Sequence, residues 1–291
     1  MTSTAWSRRS SRTRGRARLR PVALPITFLS DYGNRDEFAG VCRAVMARIE
    51  PEARVIDITH GLARHAVRHG GVVLAQALPF AEPGVHLAVV DPGVGSSRRP
   101  VALRTAEEER LLVGPDNGVL SLAAERFGGA VEAVDLTASS FRLEPITATF
   151  HGRDIFAPVA ARLAGGAVLA EAGEPIPPGE LTRLELPGPR IYPDRVVAHV
   201  IYVDGFGNVA LNVGHDELPS TFMRLGHRVT IDAGRERVAV PFARTFSDVA
   251  PGQGLLYEDS ARTLALAVNR ESAAELLGLR PDDEVTLSPA D

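Results

Sequence analysis

Asp91 closes the apolar run Val89-Val90 and opens the turn Pro92-Gly93-Val94-Gly95-Ser96-Ser97-Arg98, so an acid and an arginine stand seven residues apart across a glycine-rich bend. Gly93 and Gly95 permit positive φ and close passage of backbone past a ligand, which lets Arg98 fold back toward Asp91. A carboxylate kept ionised by an arginine can hold a water or accept its proton. An acid at the carboxyl end of a core strand also sits where open α/β sheets bind ligands. The same residues equally fit a strand-to-strand turn closed by a surface ion pair, worth about 0–1 kcal/mol. Asp31, at the end of Ile26-Thr27-Phe28-Leu29-Ser30, repeats the pattern of strand then acid. In Thr147-Ala148-Thr149-Phe150-His151-Gly152-Arg153-Asp154 a histidine beside a glycine is expected at a strand end, where its ring can exchange a proton near neutral pH. A lone histidine is more often packed or solvated.

Other chemistries find less support. His60, His65 and His69 invite a metal site, but with no third ligand motif beside them a solvated helix face is the expectation, and no metal is assigned. All 32 basic residues are arginine, so no lysine is present to form a Schiff base or complete a phosphate-binding loop. Ser96 and Ser97 lack the nucleophile-elbow pattern. The one cysteine, Cys42, rules out an internal disulfide and fits a reducing, cytoplasmic setting.

Elements must carry these residues to one place. Phe38, Val41, Cys42, Val45, Met46 and Ile49 recur at helical spacing before Pro51, between the strands Ile26–Asp31 and Arg54–Thr59. A helix over Val67–Leu78 and a strand over Gly84–Val90 continue the alternation, which predicts parallel βαβ units with their strand ends on one edge. Pro100–Thr105 and Arg110–Val113 read as antiparallel neighbours, and Ile155–Leu163 as a helix closed by Gly165-Gly166. Prolines crowd Pro175–Pro193, a linker near residue 187. Beyond it seven short alternating strands and one helix predict a small barrel or sandwich. The fold class is thus α/β, a layered, Rossmann-like amino-terminal domain over 23–187 followed by a β-barrel domain over 194–291.

At 291 residues, 45% of them hydrophobic, the composition is that of a soluble globular protein, and no apolar run reaches the ~18 residues of a membrane span. Residues 1–22 are expected to be a disordered, arginine-rich tail; the first 20 hold seven arginines and no acid. Without those seven the formal charge goes from −4 to −11, and an acidic body argues against nucleic acid as a partner. The tail has almost nothing apolar to bury, so a chain starting at Pro21 should keep its melting temperature and its activity at physiological salt. A large loss of either would show that the arginines reach an acidic site.

Seven motifs fall in the order of one known family: Ser30-Asp31-Tyr32-Gly33, Asp57-Ile58-Thr59-His60, Asp91 to Arg98, Pro115-Asp116-Asn117-Gly118, Thr149 to Asp154, Asp204-Gly205-Phe206-Gly207-Asn208 and Leu266-Ala267-Val268-Asn269. From about residue 24 onward the chain resembles the S-adenosyl-L-methionine (SAM) hydroxide adenosyltransferases, the SAM hydrolases related to fluorinase and chlorinase. The resemblance implies in-line displacement at the 5′ carbon of SAM by water or hydroxide, giving adenosine and methionine, with SAM as substrate and no cofactor. It implies Asp91, Arg98 and His151 as the set that holds and activates the water. Asp31 would accept the ribose hydroxyls and Asn208 would read the adenine edge. Phe206 and Phe246 would line the base pocket, and Ser260 and Asp204 would lie near the methionine end. It further implies a homotrimer whose sites join one amino-terminal domain to a neighbour's barrel.

Within the family, fluorinases carry tyrosine where this chain has Asp91 and His151, and an extra loop that is missing between Arg98 and Leu112. A carboxylate in the nucleophile pocket repels a halide and accepts hydrogen bonds from water, which favours hydrolysis. His65 and Ala210 stand where halogenases can place aromatic residues. The alternatives are a chlorinase-like halogenase, a non-catalytic SAM or adenosine sensor, and a metal-dependent phosphoesterase built on Asp31, Asp91 and His151.

Overall fold

The computed structural model describes residues 22–234 and 236–290, so the expected tail lies outside the described residues apart from Val22. In chain order the first half contains β1 (Ile26–Ser30), α1 (Phe38–Ile49), β2 (Val55–Thr59), α2 (Val67–Ala77), β3 (Val85–Val89), β4 (Pro100–Thr105), β5 (Leu111–Pro115), α3 (Ser121–Arg126), β6 (Ala130–Asp135), α4 (Ala157–Ala164) and β7 (Glu174–Pro175). They form one sheet in the order β2-β1-β3-β5-β4-β6-β7. The strands β2, β1, β3 and β5 run parallel, and β4, β6 and β7 each join antiparallel to a neighbour.

Every residue of β1 and β3 is buried, as expected for strands covered on both faces. Alternation divides them between two cores. Phe28, Leu87 and Val89 pack with Cys42 and Met46 of α1 and with α4. Leu29, Ala88 and Val90 pack with Leu74 of α2 and with Ala123 and Ala124 of α3. The order β2-β1-β3 means that the chain leaves β1 to one side and returns on the other, so a crevice opens beyond the ends of β1 and β3. Asp31 follows one strand and Asp91 closely follows the other.

The second half contains β8 (Arg190–Ile191), β9 (Val196–Val203), β10 (Val209–Gly214), β11 (Arg228–Asp232), β12 (Arg237–Pro241), β13 (Gly254–Glu258), β14 (Thr263–Val268), α5 (Ala273–Leu277) and β15 (Glu284–Pro289). These strands run antiparallel in the order β12-β11-β15-β9-β10-β14-β13, with β8 on β9. A bridge between Phe242 and Leu256 brings the two edges together, so the sheet is a nearly closed barrel around Val200, Leu211, Ile231, Leu266 and Leu287. The halves meet where His69 of α2 stacks on Tyr202 of β9, with ring centroids 4.5 Å apart and planes 12° apart, beside an Arg68–Asp282 ion pair.

Two sequence expectations change. The stretch before His151 is not a strand. The Asp154 carboxylate takes the Thr147 N–H and hydroxyl at 2.8 and 2.7 Å, which curls 147–154 into a loop, and His151 leads into a π-helical turn, Gly152–Phe156, that runs on into α4. The proline-rich stretch before residue 187 lies along the first half, with the Thr182 N–H on Asp116 Oδ1 and the Leu184 N–H on Ser121 Oγ. The histidines also do not share a solvated face: His60 is buried, His65 sits in the loop before α2 at φ +66°, and His69 lies in the domain joint.

Candidate active site

Arg98 does fold back. Its Nε donates to Asp91 Oδ1 at 2.8 Å and its Nη2 to Oδ2, a two-point fork in which both side chains are largely buried. The turn that permits this places Gly95 at φ +76°, where a side chain would meet the Ala148 carbonyl at 2.6 Å. Nη2 also lies 3.0 Å from His151 Nδ1. A guanidinium has only hydrogens to offer, so Nδ1 is the acceptor and the neutral ring carries its proton on Nε2. The Arg98 guanidinium lies 5.3 Å from the centre of the Phe156 ring, and its buried Nη1 has no hydrogen-bond partner among the described residues.

Burial, and after it the Arg98 charge, pull the His151 pKa below the ordinary 6.5, against the opposite pull of Asp91 and Asp154. The folded state thus resists protonating this ring. The benefit of neutral His151 is complete above pH 6.5 and is lost as pH falls through its lowered value. A proton NMR titration should find the His151 midpoint below 6.5, and the acid limb of the rate should follow it down. A midpoint at or above 6.5 would contradict a neutral ring with its proton on Nε2.

Asp91 and His151 form one wall of a cleft of about 350 Å³ at the β1–β3 crevice, shared with Asp31, Tyr32, Arg64 and His65. Arg98 stands behind that wall and orients both residues. The Asp31 Oδ2 accepts the His65 N–H at 2.8 Å. Tyr32 is an addition that its motif alone does not single out. Its phenol packs so tightly on Gly152 that any side chain at 152 would collide with the hydroxyl, which explains the glycine beside His151. Burial, reinforced by Cys42, Asp31 and Asp91, keeps that phenol protonated far above the usual tyrosine range.

A second cleft, of about 430 Å³, opens on the barrel between Phe206, Asn208, Phe246, Asn269, Arg270 and Ser272. Phe206 is 84% exposed. Of the residues singled out in this half, Phe206, Asn208 and Phe246 meet here, whereas Asp204 and Ser260 do not line the cleft. Both Asp204 oxygens turn inward: Oδ1 takes the N–H groups of Phe206 and Asn208, and Oδ2 takes the Asn208 side-chain amide at 2.8 Å. Asp204 thereby sets the Asn208 amide, whose oxygen has no partner among the described residues. Asn269, Arg270 and Ser272 are additions; Asn269 ends a recognised motif without a role assigned to it. The two clefts share no lining residue.

The chain matches the SAM hydroxide adenosyltransferase N-terminal domain over residues 26–173 and the C-terminal domain of the same family over 198–286. It belongs to that family. Among curated relatives, an (R)-S-adenosyl-L-methionine hydrolase from Salinispora tropica is 48% identical, with 90% of this chain and 97% of that protein covered. A fluorinase from Nocardia brasiliensis is 29% identical over 88% of this chain and 92% of its own. The solved structure of an uncharacterized conserved protein from Thermotoga maritima superposes with a TM-score of 0.82 at 36% identity, covering 90% and 99% of the two chains. Among the described residues no group of three or more His, Cys, Asp or Glu is placed to hold a metal ion, and no helix is long and apolar enough to cross a membrane.

Proposed function

We propose that this chain hydrolyses SAM to adenosine and L-methionine by in-line attack of water on the 5′ carbon, with Asp91 as proton acceptor. The observation that carries the roles is the Asp91–Arg98–His151 fork. With its Nδ1 occupied by Arg98, His151 presents an Nε2–H that can donate to the water, and the acceptor left on that wall is the Asp91 carboxylate. A carboxylate is not a strong base. It suffices, because a water already bonding to carbon is strongly acidic and the sulfonium leaves readily as a neutral thioether. As the C5′–O bond forms, the C5′–S pair returns to sulfur and a water proton passes to Asp91. No cofactor is required, and positioning supplies most of the acceleration.

Asp31 suits the ribose hydroxyls, since a carboxylate accepts from two donors at once. Asn208, oriented by Asp204, suits the adenine edge, with Phe206 and Phe246 against the base; Ser260 is the proposed contact near the methionine end. The separate clefts support a homotrimer in which one chain's crevice closes on a neighbour's barrel. Exposure of Phe206 in the single chain supports it too. The name of the Salinispora relative, an (R)-S-adenosyl-L-methionine hydrolase, supports the R configuration at sulfur as the preferred substrate form. The single Cys42 supports a cytoplasmic enzyme.

The test is to incubate the protein with each sulfur epimer in oxygen-18 water and to follow adenosine and methionine by chromatography. Label at the adenosine 5′ oxygen, with R consumed faster, is the expected result. An added-chloride arm that yields 5′-chloro-5′-deoxyadenosine instead would favour the halogenase reading, and tight binding of SAM without turnover would favour a sensor.

A further inference from the structure

A buried chain of polar contacts underlies the crevice and takes no part in the chemistry above. Ser30, wholly buried at the end of β1, lies with its hydroxyl 2.7 Å from His60 Nδ1 and accepts the Tyr32 N–H at 3.3 Å. His60 Nε2 is 3.1 Å from Asp57 Oδ1, off the line of a good hydrogen bond, and Asp57 is ion-paired with Arg43. A carboxylate beside Nε2 keeps the proton there, so Nδ1 accepts and the Ser30 hydroxyl donates. The His60 carbonyl takes the Gly33 N–H at 2.7 Å, and its ring meets Phe28 edge-on at 4.6 Å.

The residue bracketed by these contacts is Asp31. The N–H groups of the two residues after it are held by Ser30 and by His60, and its own Oδ2 takes the N–H of His65, in the loop that His60 begins. Serine, histidine and aspartate are the makings of a hydrolytic triad, yet Ser30 has no exposed surface and its hydroxyl is spent on the ring, so it is no nucleophile. A carboxylate that must receive two hydroxyls at once, however, needs its plane fixed to roughly 10–20°. We propose that His60, steadied by Asp57 and holding Ser30, is a positioning residue that fixes the Asp31 carboxylate for the sugar, so that ribose recognition depends on it. The proposal rests on reading Asp31 as the ribose acceptor.

The test compares binding of adenosine and of 2′,3′-dideoxyadenosine to the full-length protein by calorimetry. Two hydrogen bonds to a charged acceptor should make the parent prefer adenosine by roughly 100-fold. Asp31→Asn should erase most of that preference. Ser30→Ala should cut it to roughly 10-fold with dideoxyadenosine affinity unchanged, and Ser30→Thr, which keeps the hydroxyl, should restore it. Asp57→Asn, at the partly exposed end, should cut it about threefold without threatening the core, and serves should Ser30→Ala not fold. A merely structural contact would weaken both nucleosides alike. If Asp31→Asn erases the preference while Ser30→Ala and Asp57→Asn keep it, the positioning role is overturned. If Asp31→Asn itself keeps it, the ribose reading fails and takes the positioning role with it.

Discussion

Asp91→Asn lowers kcat for SAM hydrolysis by ~10²-fold or more while KM stays within a few-fold, because the change keeps the shape of the side chain and removes its capacity to take a proton. The cause lies in the fork. Arg98 holds both Asp91 oxygens, and the asparagine keeps only one acceptor for the same guanidinium. Asp91 and Arg98 side chains are only 7% and 10% exposed, so part of the Arg98 charge is left without its partner. Outright removal of one member of a buried pair costs about 3–5 kcal/mol, and the asparagine should cost less. A thermal melt beside the kinetics separates this loss from the catalytic one: the variant should melt lower yet be folded at assay temperature. Hydrolysis at the parent rate by a folded Asp91→Asn protein would remove Asp91 from the chemistry.

Mixing two dead proteins should restore activity. Asp91→Asn spoils the crevice and leaves the barrel cleft intact, and Asn208→Ala does the reverse. If each site joins one chain's crevice to a neighbour's barrel, random reassociation of equal amounts gives both intact halves at about one interface in four, and roughly a quarter of parent activity should return. The measurement is a rate after joint unfolding and refolding, or after long co-incubation. A site built within one chain would give no recovery at any ratio. Full activity in a protein that light scattering finds strictly monomeric would exclude the shared site as well.

Much of this arrangement is legible in the residues, for reasons that differ by element. The alternation of strand and helix through β1, α1, β2, α2 and β3 shows because both periodicities are long and clean, and because Asp31 and Asp91 end fully buried strands. The Asp91–Arg98 approach is readable from two glycines and a seven-residue spacing. By contrast α3 is only six residues, and β6, Ala130–Asp135, sets its two acids three residues apart rather than in alternation, so neither is assigned from the sequence pattern. The placing of His151 at a strand end fails because Asp154 captures Thr147 through side-chain hydrogen bonds, which outweigh the β-branched residues there. The histidines of the β2–α2 region do not act as a group because their surroundings come from elsewhere in the fold: Ser30 for His60, Asp31 for the His65 backbone, Tyr202 for His69.

The π-helical turn Gly152–Phe156 has a consequence for how such a site could change over evolutionary time. A π turn carries one residue more than an α turn, and each helical residue turns the chain by about 100°. Deleting a single codon within Gly152–Phe156 would relax the turn to ordinary α-helix and leave both His151 before it and Ala157–Ala164 after it close to their present orientations, because the residue lost is the one the wide turn accommodates. A one-residue change of length is therefore tolerated directly beside the nucleophile pocket, since the His151–Arg98 contact and the helix behind it need not repack.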